Sequence, residues 1–288
     1  MGALVDRLAV AVPLTGPRPH DDRSRWERWS RDGRDDGDGV EVLVAREPDA
    51  SFHLHWHEEW SLGAITAGTC AFSCAGRRHL ARAGDVVIIP PYAVHAAGTS
   101  GGAFAMEMLY LPAELVARHV GARLPSGLDE NVWRDPTGAR MLHRAVRGRR
   151  LDEVWRVMAQ AIAHGRPHDR ATPPDPRVVR ISARLRGAPD QMPDLADVAR
   201  VAGVSREHLH RLFRNTLGVT PGQYLRLSRI ALARQLLRRG EPIIAAAGAC
   251  GFADQAHFTR WFKRYLGVTP GAFAGASLRS QRAKPSAT

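Results

Sequence analysis

The feature that most constrains the fold is a repeat near the C-terminus. Residues 205–224 align without gaps to residues 254–273, which lie 49 positions later. Within this alignment the string LGVTPG occurs at Leu217–Gly222 and again at Leu266–Gly271. A match of this length between neighbouring stretches indicates a duplicated supersecondary unit.

Each copy carries the signals of a helix. Ser205 and Asp254 are N-cap residues, whose side chains accept from backbone N–H groups of the first turn. Gly218 and Gly267 stand where a left-handed C-terminal cap favours glycine. Apolar residues recur between them at helical spacing: Leu209, Leu212, Phe213 and Leu217 in the first copy, and Phe258, Trp261, Phe262 and Leu266 in the second.

A second helix precedes each copy. Its apolar residues run into a short glycine-containing turn at Gly203 or Gly251, which predicts two helix-turn-helix units in tandem. Thr220-Pro221 opens a further helix that continues to Arg239 and joins the units. A helix of roughly 19 residues is about 28 Å long. Successive major grooves on one DNA face are about 34 Å apart, so the length of this helix is of the same order.

The charge distribution supports a nucleic-acid partner. The stretch from Arg177 to the end holds 19 of the 41 Lys+Arg and 6 of the 29 Asp+Glu, a balance of +13, whereas the preceding residues sum to −1. A basic C-terminal third beside a neutral remainder is typical of DNA-binding domains.

Residues 251–264 (GFADQAHFTRWFKR) and Gly267–Pro270 (GVTP) resemble the signature of the AraC/XylS family of transcription regulators. The resemblance covers residues 177–275 and departs at Ala246, at Gly248 and at Phe273-Ala274. It implies a DNA-binding regulator that responds to a small-molecule effector, with double-stranded operator DNA as partner. RNA polymerase is a further expected partner.

Transferred position by position, the resemblance implies two sets of DNA contacts. The side chains expected to read bases are Glu207, His210, Arg211, Gln255, Ala256, Thr259 and Arg260. Those expected to bind phosphates are Arg206, Arg214, Lys263 and Arg264. An ordinary solvated polar face is the alternative for each, and His257 is interpreted as a structural brace.

Between residues 40 and 111 the apolar period changes to two, with glycine-bearing turns between short strands, which predicts a small barrel or sandwich. Gly84–His95 resembles the second cupin motif, and such a barrel is the usual sensor of AraC-like proteins. The predicted fold class is therefore α+β: a cupin-like sensor at 40–111, helices at 112–165, a linker at 166–176 and a tandem helix-turn-helix domain at 177–275. The stretches 1–39 and 276–288 are predicted to be mostly flexible, except that Trp26 and Trp29 pack on the sensor.

Histidines mark the candidate effector pocket. His53, His55 and His57 alternate with apolar residues along one strand and so share a face. A polar pocket is predicted to be lined by His55, His57, Glu59 and His95. Three imidazoles are also metal ligands. A metal cupin, however, has glutamate where Ser61 or Leu62 stands here, so no metal or cofactor is predicted.

Two competing functions follow from these features. One is a metal-dependent cupin oxygenase or isomerase fused to a DNA-binding domain, and the other is an architectural DNA-binding protein without a sensor. Neither accounts for both halves as well as a regulator does, so no catalytic residues are predicted. An apolar stripe at 151–162 suggests a dimer seam. Three cysteines and the lack of an 18-residue apolar run suggest a cytoplasmic protein without a membrane partner.

Overall fold

A computed structural model describes residues 25–29, 39–47, 52–99, 102–121, 124–125, 127–168, 175–187 and 194–275. The strands are Arg25–Trp29 (β1), Val40–Glu47 (β2), Phe52–His55 (β3), Trp60–Ala67 (β4), Thr69–Cys74 (β5), Arg77–Arg82 (β6), Asp85–Ile89 (β7), His95–Thr99 (β8), Phe104–Leu111 (β9), Gly127–Leu128 (β10), Val132–Arg134 (β11) and Pro167–His168 (β12). The helices are Ala113–Val120 (α1), Pro136–Gly148 (α2), Leu151–His164 (α3), Pro176–Gly187 (α4), Leu195–Val201 (α5), Arg206–Leu217 (α6), Pro221–Arg238 (α7), Ile243–Ala249 (α8) and Gln255–Leu266 (α9). The predicted order, a β-rich domain with helices followed by an all-α domain, is confirmed.

Two main antiparallel sheets are described in the N-terminal domain, in the orders β1-β2-β9-β4-β7-β11 and β3-β8-β5-β6, and β10 pairs with β12 in a further two-stranded sheet. Successive residues of a strand face opposite sides, so the larger sheet contributes to two cores. Leu43 and Met108 belong to the core shared with the smaller sheet, whereas Val42 and Leu109 face the helices α1, α2 and α3. Because both faces are covered, β9 is apolar along almost its whole length.

The apolar stripe at 151–162 lies on α3 and packs inside the domain. Val154, Met158 and Ile162 are buried in the core beneath the larger sheet. Trp155 stacks on His119 of α1, with ring centroids 4.5 Å apart. The stripe therefore no longer supports the dimer seam that it suggested, and dimerisation stays a prediction.

Strand β1 lies within the segment that composition marked as mostly flexible. It adds an edge strand to the larger sheet, and both Trp26 and Trp29 are buried. Strand β6 was missed at the sequence level because its outward side chains, among them Arg77 and Arg82, give it a polar composition. Predictions for residues 1–24, 30–38, 169–174 and 276–288 fall outside the described residues.

Both predicted reading helices form, with the predicted caps. The Ser205 hydroxyl accepts from the His208 backbone N–H at the start of α6, and the Asp254 carboxylate accepts from that of His257 at the start of α9. Each helix ends at a glycine with positive φ, +74° at Gly218 and +76° at Gly267. Two equivalent helix-turn-helix units result, α5–α6 and α8–α9.

Helix α7 connects the two units. Thr220 and Gln223 close a reciprocal capping box at its start, where Pro221 needs no N–H acceptor. Its 18 residues give a rod of about 27 Å. The helices that the structure describes include none that combines the length and apolar character needed to cross a bilayer.

Candidate DNA-binding surface and sensor site

The outer face of α6 carries the residues predicted to contact DNA. Leu209 and Phe213 are buried on the inner face. On the opposite face Arg206, Glu207, Arg211 and Arg214 are exposed and His210 is half-buried. The structure thus leaves every predicted contact of the first unit accessible.

Helix α9 has the same layout, with Phe258 and Phe262 on its buried side. Gln255, Ala256, Arg260 and Arg264 are exposed, and Thr259 and Lys263 are half-buried. The His257 ring nitrogen Nε2 accepts from the indole N–H of Trp261 at 2.7 Å, which fits the interpretation of His257 as a brace. The Arg264 guanidinium lies 5.2 Å from the centre of the Trp261 ring, so this contact orients a predicted phosphate ligand.

The second unit is docked on the sensor domain. A Cβ atom placed on Gly267 would stand 2.6 Å from Cε1 of Phe52 in β3, whereas one placed on Gly218 would meet nothing within 4 Å. Trp26 of β1 lies against Phe273, just after α9, with ring centroids 5.2 Å apart. One continuous apolar core consequently links the sheets to the helical domain.

A buried cluster of four charges fixes helix α7 to the larger sheet. Arg234 donates to Glu59 at 2.9 Å and also to Glu41. Arg238, one helical turn later, donates to Glu41 at 2.9 Å and also to Glu59. The side chains of Arg234, Glu41 and Glu59 are only 4%, 2% and 8% exposed. We call these four residues the interdomain ion cluster.

The surroundings keep the interdomain ion cluster charged. Burial by itself raises the pKa of Glu59, but the positive charges of Arg234 and Arg238 outweigh burial and hold this pKa at about 2. The pKa of Glu41 lies below its usual range through the same balance. Burial lowers the pKa of Arg238, yet the two carboxylates more than offset it and raise that pKa. The guanidinium of Arg234 also lies 4.9 Å from the centre of the Tyr110 ring.

Three buried histidines lie beside this cluster. The ring centroid of His95 is 4.1 Å from that of His55 and 4.8 Å from that of His57. One ring nitrogen from each histidine lies within 4.8 Å of the others. The Nδ1–H of His57 donates to the Glu59 carbonyl at 3.0 Å, and the Nδ1–H of His95 donates to the Ala93 carbonyl at 2.8 Å. These two bonds leave the ring lone pair of His57 and of His95 on Nε2.

His57 and His95 are neutral near pH 7. Burial lowers the pKa of His95 to about 4. Burial, reinforced by His95 and by Arg234, lowers the pKa of His57 well below its usual value. The cleft beside His55, His57 and Glu59 has room for little more than one water molecule.

The structure thus brings His55, His57 and His95 together and turns the Glu59 carboxylate toward arginines of the other domain. The side chain of His53 lies outside the described residues. Reasoning from the sequence missed Glu41, Arg234 and Arg238. A signal was present, since Arg234 and Arg238 stand four and eight residues after the buried Ile230 and so share its face of α7.

The two thiols of β5 are unreactive near pH 7. Cys70 and Cys74 are buried and free, and burial raises their pKa to about 11 and about 12. They therefore stay protonated near pH 7 and pack as small apolar side chains.

Family models match both halves of the chain. A helix-turn-helix domain matches residues 198–276, and an AraC-like ligand-binding domain matches residues 39–172. The probable transcriptional regulator LumQ of Photobacterium leiognathi is 36% identical over 62 residues, which cover 21% of this chain and 25% of LumQ. The HTH-type transcriptional regulator YbfI of Bacillus subtilis is 25% identical over 220 residues, covering 71% of this chain and 80% of YbfI.

Solved structures share the two-domain fold. ToxT of Vibrio cholerae O395 aligns over 82% of this chain and 97% of its own, with a TM-score of 0.55 and 14% identity. Another ToxT structure, with a TM-score of 0.54 and 15% identity, was solved with an unsaturated fatty acid bound. With an AraC-like ligand-binding domain ahead of two capped helix-turn-helix units, the chain belongs to the AraC family of DNA-binding transcription regulators.

Proposed function

We propose that this protein reads an operator with both helix-turn-helix units and that an effector in the N-terminal domain controls how the second unit is presented. The observation that carries the proposal is the asymmetric docking. Gly267 at the end of α9 lies against Phe52 of the sensor, whereas the equivalent Gly218 of the first unit faces open space. Phe273 contacts Trp26, and α7 is held by the interdomain ion cluster.

The two exposed faces suit successive major grooves. Arg211 and Arg260 occupy equivalent positions of the two copies, and arginine pairs with guanine edges. Arg206, Arg214, Lys263 and Arg264 flank them as phosphate ligands. The connecting helix of about 27 Å is of the order of the spacing between grooves.

The interdomain ion cluster is the route by which the sensor acts on the reader. Its two carboxylates come from the sensor, and its two guanidiniums come from the helix that joins the reading units. A buried charge that loses its partner is strongly destabilising, so a change that moves Glu59 moves α7 as well. Effector binding at the neighbouring histidines therefore alters the DNA-binding domain without touching DNA.

A regulator accounts for the site better than an enzyme does. A carboxylate that acts as a general acid must exchange protons near pH 7, yet Arg234 and Arg238 hold the pKa of Glu59 at about 2. We infer a cytoplasmic location from the DNA partner, and reducing conditions there keep the buried thiols of Cys70 and Cys74 reduced. RNA polymerase is proposed as a further partner on the family resemblance alone.

Selection of bound sequences from a random DNA pool tests the proposed function. We expect enrichment of a site with two half-sites about one helical turn apart, because the two units are equivalent readers on one rod. Enrichment of a single short half-site would limit reading to one unit. No enrichment beyond general electrostatic binding would contradict the proposal.

A further inference from the structure

Two arginines from different helices meet at one tryptophan of the second helix-turn-helix unit. The guanidinium of Arg226 in α7 lies 5.5 Å from the centre of the Trp261 ring, and that of Arg264 in α9 lies 5.2 Å from the same centre. Because like charges repel, two guanidiniums gathered at one uncharged ring create a local excess of positive charge. We infer that Arg226 and Arg264 together bind one backbone phosphate of the operator, at the junction of α7 and α9.

Aromatic side chains hold the two guanidiniums in place. The indole N–H of Trp261 donates to the His257 ring at 2.7 Å, which fixes the orientation of the tryptophan. Trp261 also stacks on Tyr265, with ring centroids 5.5 Å apart, and Arg226 donates a hydrogen bond to the Tyr265 hydroxyl. An arginine that is already ordered loses less conformational entropy when it binds, so this arrangement favours a phosphate contact.

The two guanidiniums are available to an external anion. Helices α7 and α9 contain no acidic residue, and neither Arg226 nor Arg264 forms an ion pair with a carboxylate of the described residues. Both side chains are exposed, although every other residue of α7 between Pro221 and Ile230 is buried or half-buried. The planar fork of a guanidinium matches the oxygens of a phosphate, which it binds through two parallel hydrogen bonds.

The first helix-turn-helix unit lacks such a site. The positions of Trp261, Arg264 and Tyr265 in α9 correspond in α6 to an aliphatic, an amide and a hydroxyl side chain, namely Leu212, Asn215 and Thr216. An amide and a small hydroxyl group carry no positive charge, and leucine has no aromatic face to attract one. The second unit therefore has one more phosphate contact than the first.

A DNA phosphate suits the site better than a free anion does. This inference rests on the function proposed above, in which Arg260 reads bases. Arg264 follows Arg260 by four residues, so both side chains lie on the same face of α9. A duplex read by Arg260 therefore carries its backbone to Arg264. Contacts elsewhere on the same duplex raise the effective concentration of that phosphate, which a free ion does not share.

The test uses the full-length chain and operator duplexes in which single phosphates are replaced by uncharged methylphosphonates. The half-site of the second unit is the one in which Arg260→Ala relaxes base preference. There we expect one phosphate whose replacement weakens binding by the unmutated chain about tenfold but hardly affects Arg226→Ala, because this variant no longer contacts it. Arg226→Ala itself should bind the unmodified operator about tenfold more weakly.

Arg239→Ala is the matched control for Arg226→Ala. Arg239 is exposed at the opposite end of α7, about 20 Å away, and its loss removes the same charge. This variant should keep the full sensitivity to the methylphosphonate. Arg226→Lys keeps the charge without the planar fork, so it should recover part of the operator affinity that Arg226→Ala loses.

A second arm measures binding to a non-specific duplex at several salt concentrations. Arg226→Ala should reduce the salt dependence by about one ion, whereas Arg226→Lys should retain it. This arm needs no base reading. A reduced salt dependence without any selection of an operator sequence would contradict the proposed function and leave the phosphate site standing.

Several outcomes overturn the inference. If Arg226→Ala keeps both the salt dependence and the methylphosphonate sensitivity of the unmutated chain, Arg226 only braces Trp261. If inorganic phosphate competes with the duplex more strongly than chloride at equal ionic strength, the site binds free anions. An equal number of sensitive phosphates in the two half-sites, or no binding to duplex DNA at all, also contradicts it. The comparison of half-sites uses only the unmutated chain, so it remains decisive if a variant fails to fold.

Discussion

The two helix-turn-helix units share one sequence pattern but have different surroundings. The first unit, α5–α6, packs on α4 and α7 within the DNA-binding domain. The second unit, α8–α9, packs on α7 and also on strand β3 of the sensor. Duplication therefore supplied two equivalent readers, and the tertiary structure attached one of them to the sensor. In the function proposed above, an effector that alters this attachment would change the relative placement of the readers and leave each reader intact.

Removing one charge from the interdomain ion cluster should have the largest effect on this asymmetry. Arg234→Ala leaves Glu41 and Glu59 buried with a single cation, so we expect the free energy of unfolding to fall by about 3–5 kcal/mol. Urea denaturation followed by tryptophan fluorescence measures it, since Trp56 stacks on Tyr224 across the domain contact.

Arg239→Ala is the matched control for this variant. Arg239 is exposed at the C-terminal end of the same helix, and its loss should leave the unfolding curve unchanged. Equal destabilisation by both substitutions would show that the interdomain ion cluster does not hold the domains together.

The two C-cap glycines give a smaller and more direct comparison. Gly218→Ala and Gly267→Ala impose the same left-handed strain, because both residues have φ near +75°. At Gly267 the new methyl group also collides with Phe52. We expect Gly267→Ala to lower the free energy of unfolding by about 1–3 kcal/mol more than Gly218→Ala does.

A double-mutant cycle tests whether contact with Phe52 causes that difference in stability. Phe52→Ala combined with Gly267→Ala should remove the extra cost, because no ring then stands in the way of the methyl group. If the two glycine variants are equally stable, the second unit is not docked on β3 in solution.

The smallest expected effects are on operator binding, and they distinguish the contributions of the two helix-turn-helix units. Arg211→Ala and Arg260→Ala should each weaken operator binding by about tenfold to a hundredfold and relax base preference, each in a different half-site. Lys263→Ala should weaken binding to all sequences alike and reduce the salt dependence by about one ion. Competition binding at several salt concentrations measures both effects. Loss of preference in the same half-site for both arginine variants would contradict the assignment of one unit to each groove.

Much of the fold was predictable because its signals are local. Cap residues such as Ser205 and Asp254, and terminal glycines such as Gly218, act on backbone groups a few residues away. Period-two alternation likewise identified most strands of the larger sheet. Strand β6 was not predicted, because Arg77 and Arg82 give it the polar composition of a loop.

The candidate sensor site was predictable only in part. Alternation placed His55 and His57 on one face, and the cupin-like motif added His95. The role of Glu59 was not readable, since its partner Arg234 lies 175 residues away. The same holds for Glu41, which is 193 residues from Arg234.

The sequence by itself determined the number of readers, their helices and caps, and the side chains that they expose. These properties depend on hydrogen bonds and periodicity within a few turns of chain. Only the tertiary structure decided that the second reader docks on the sensor and that four buried charges join α7 to the sheet. Such contacts depend on burial, which sets the strength of an ion pair and the pKa of a histidine, and burial exists only once distant segments have packed together.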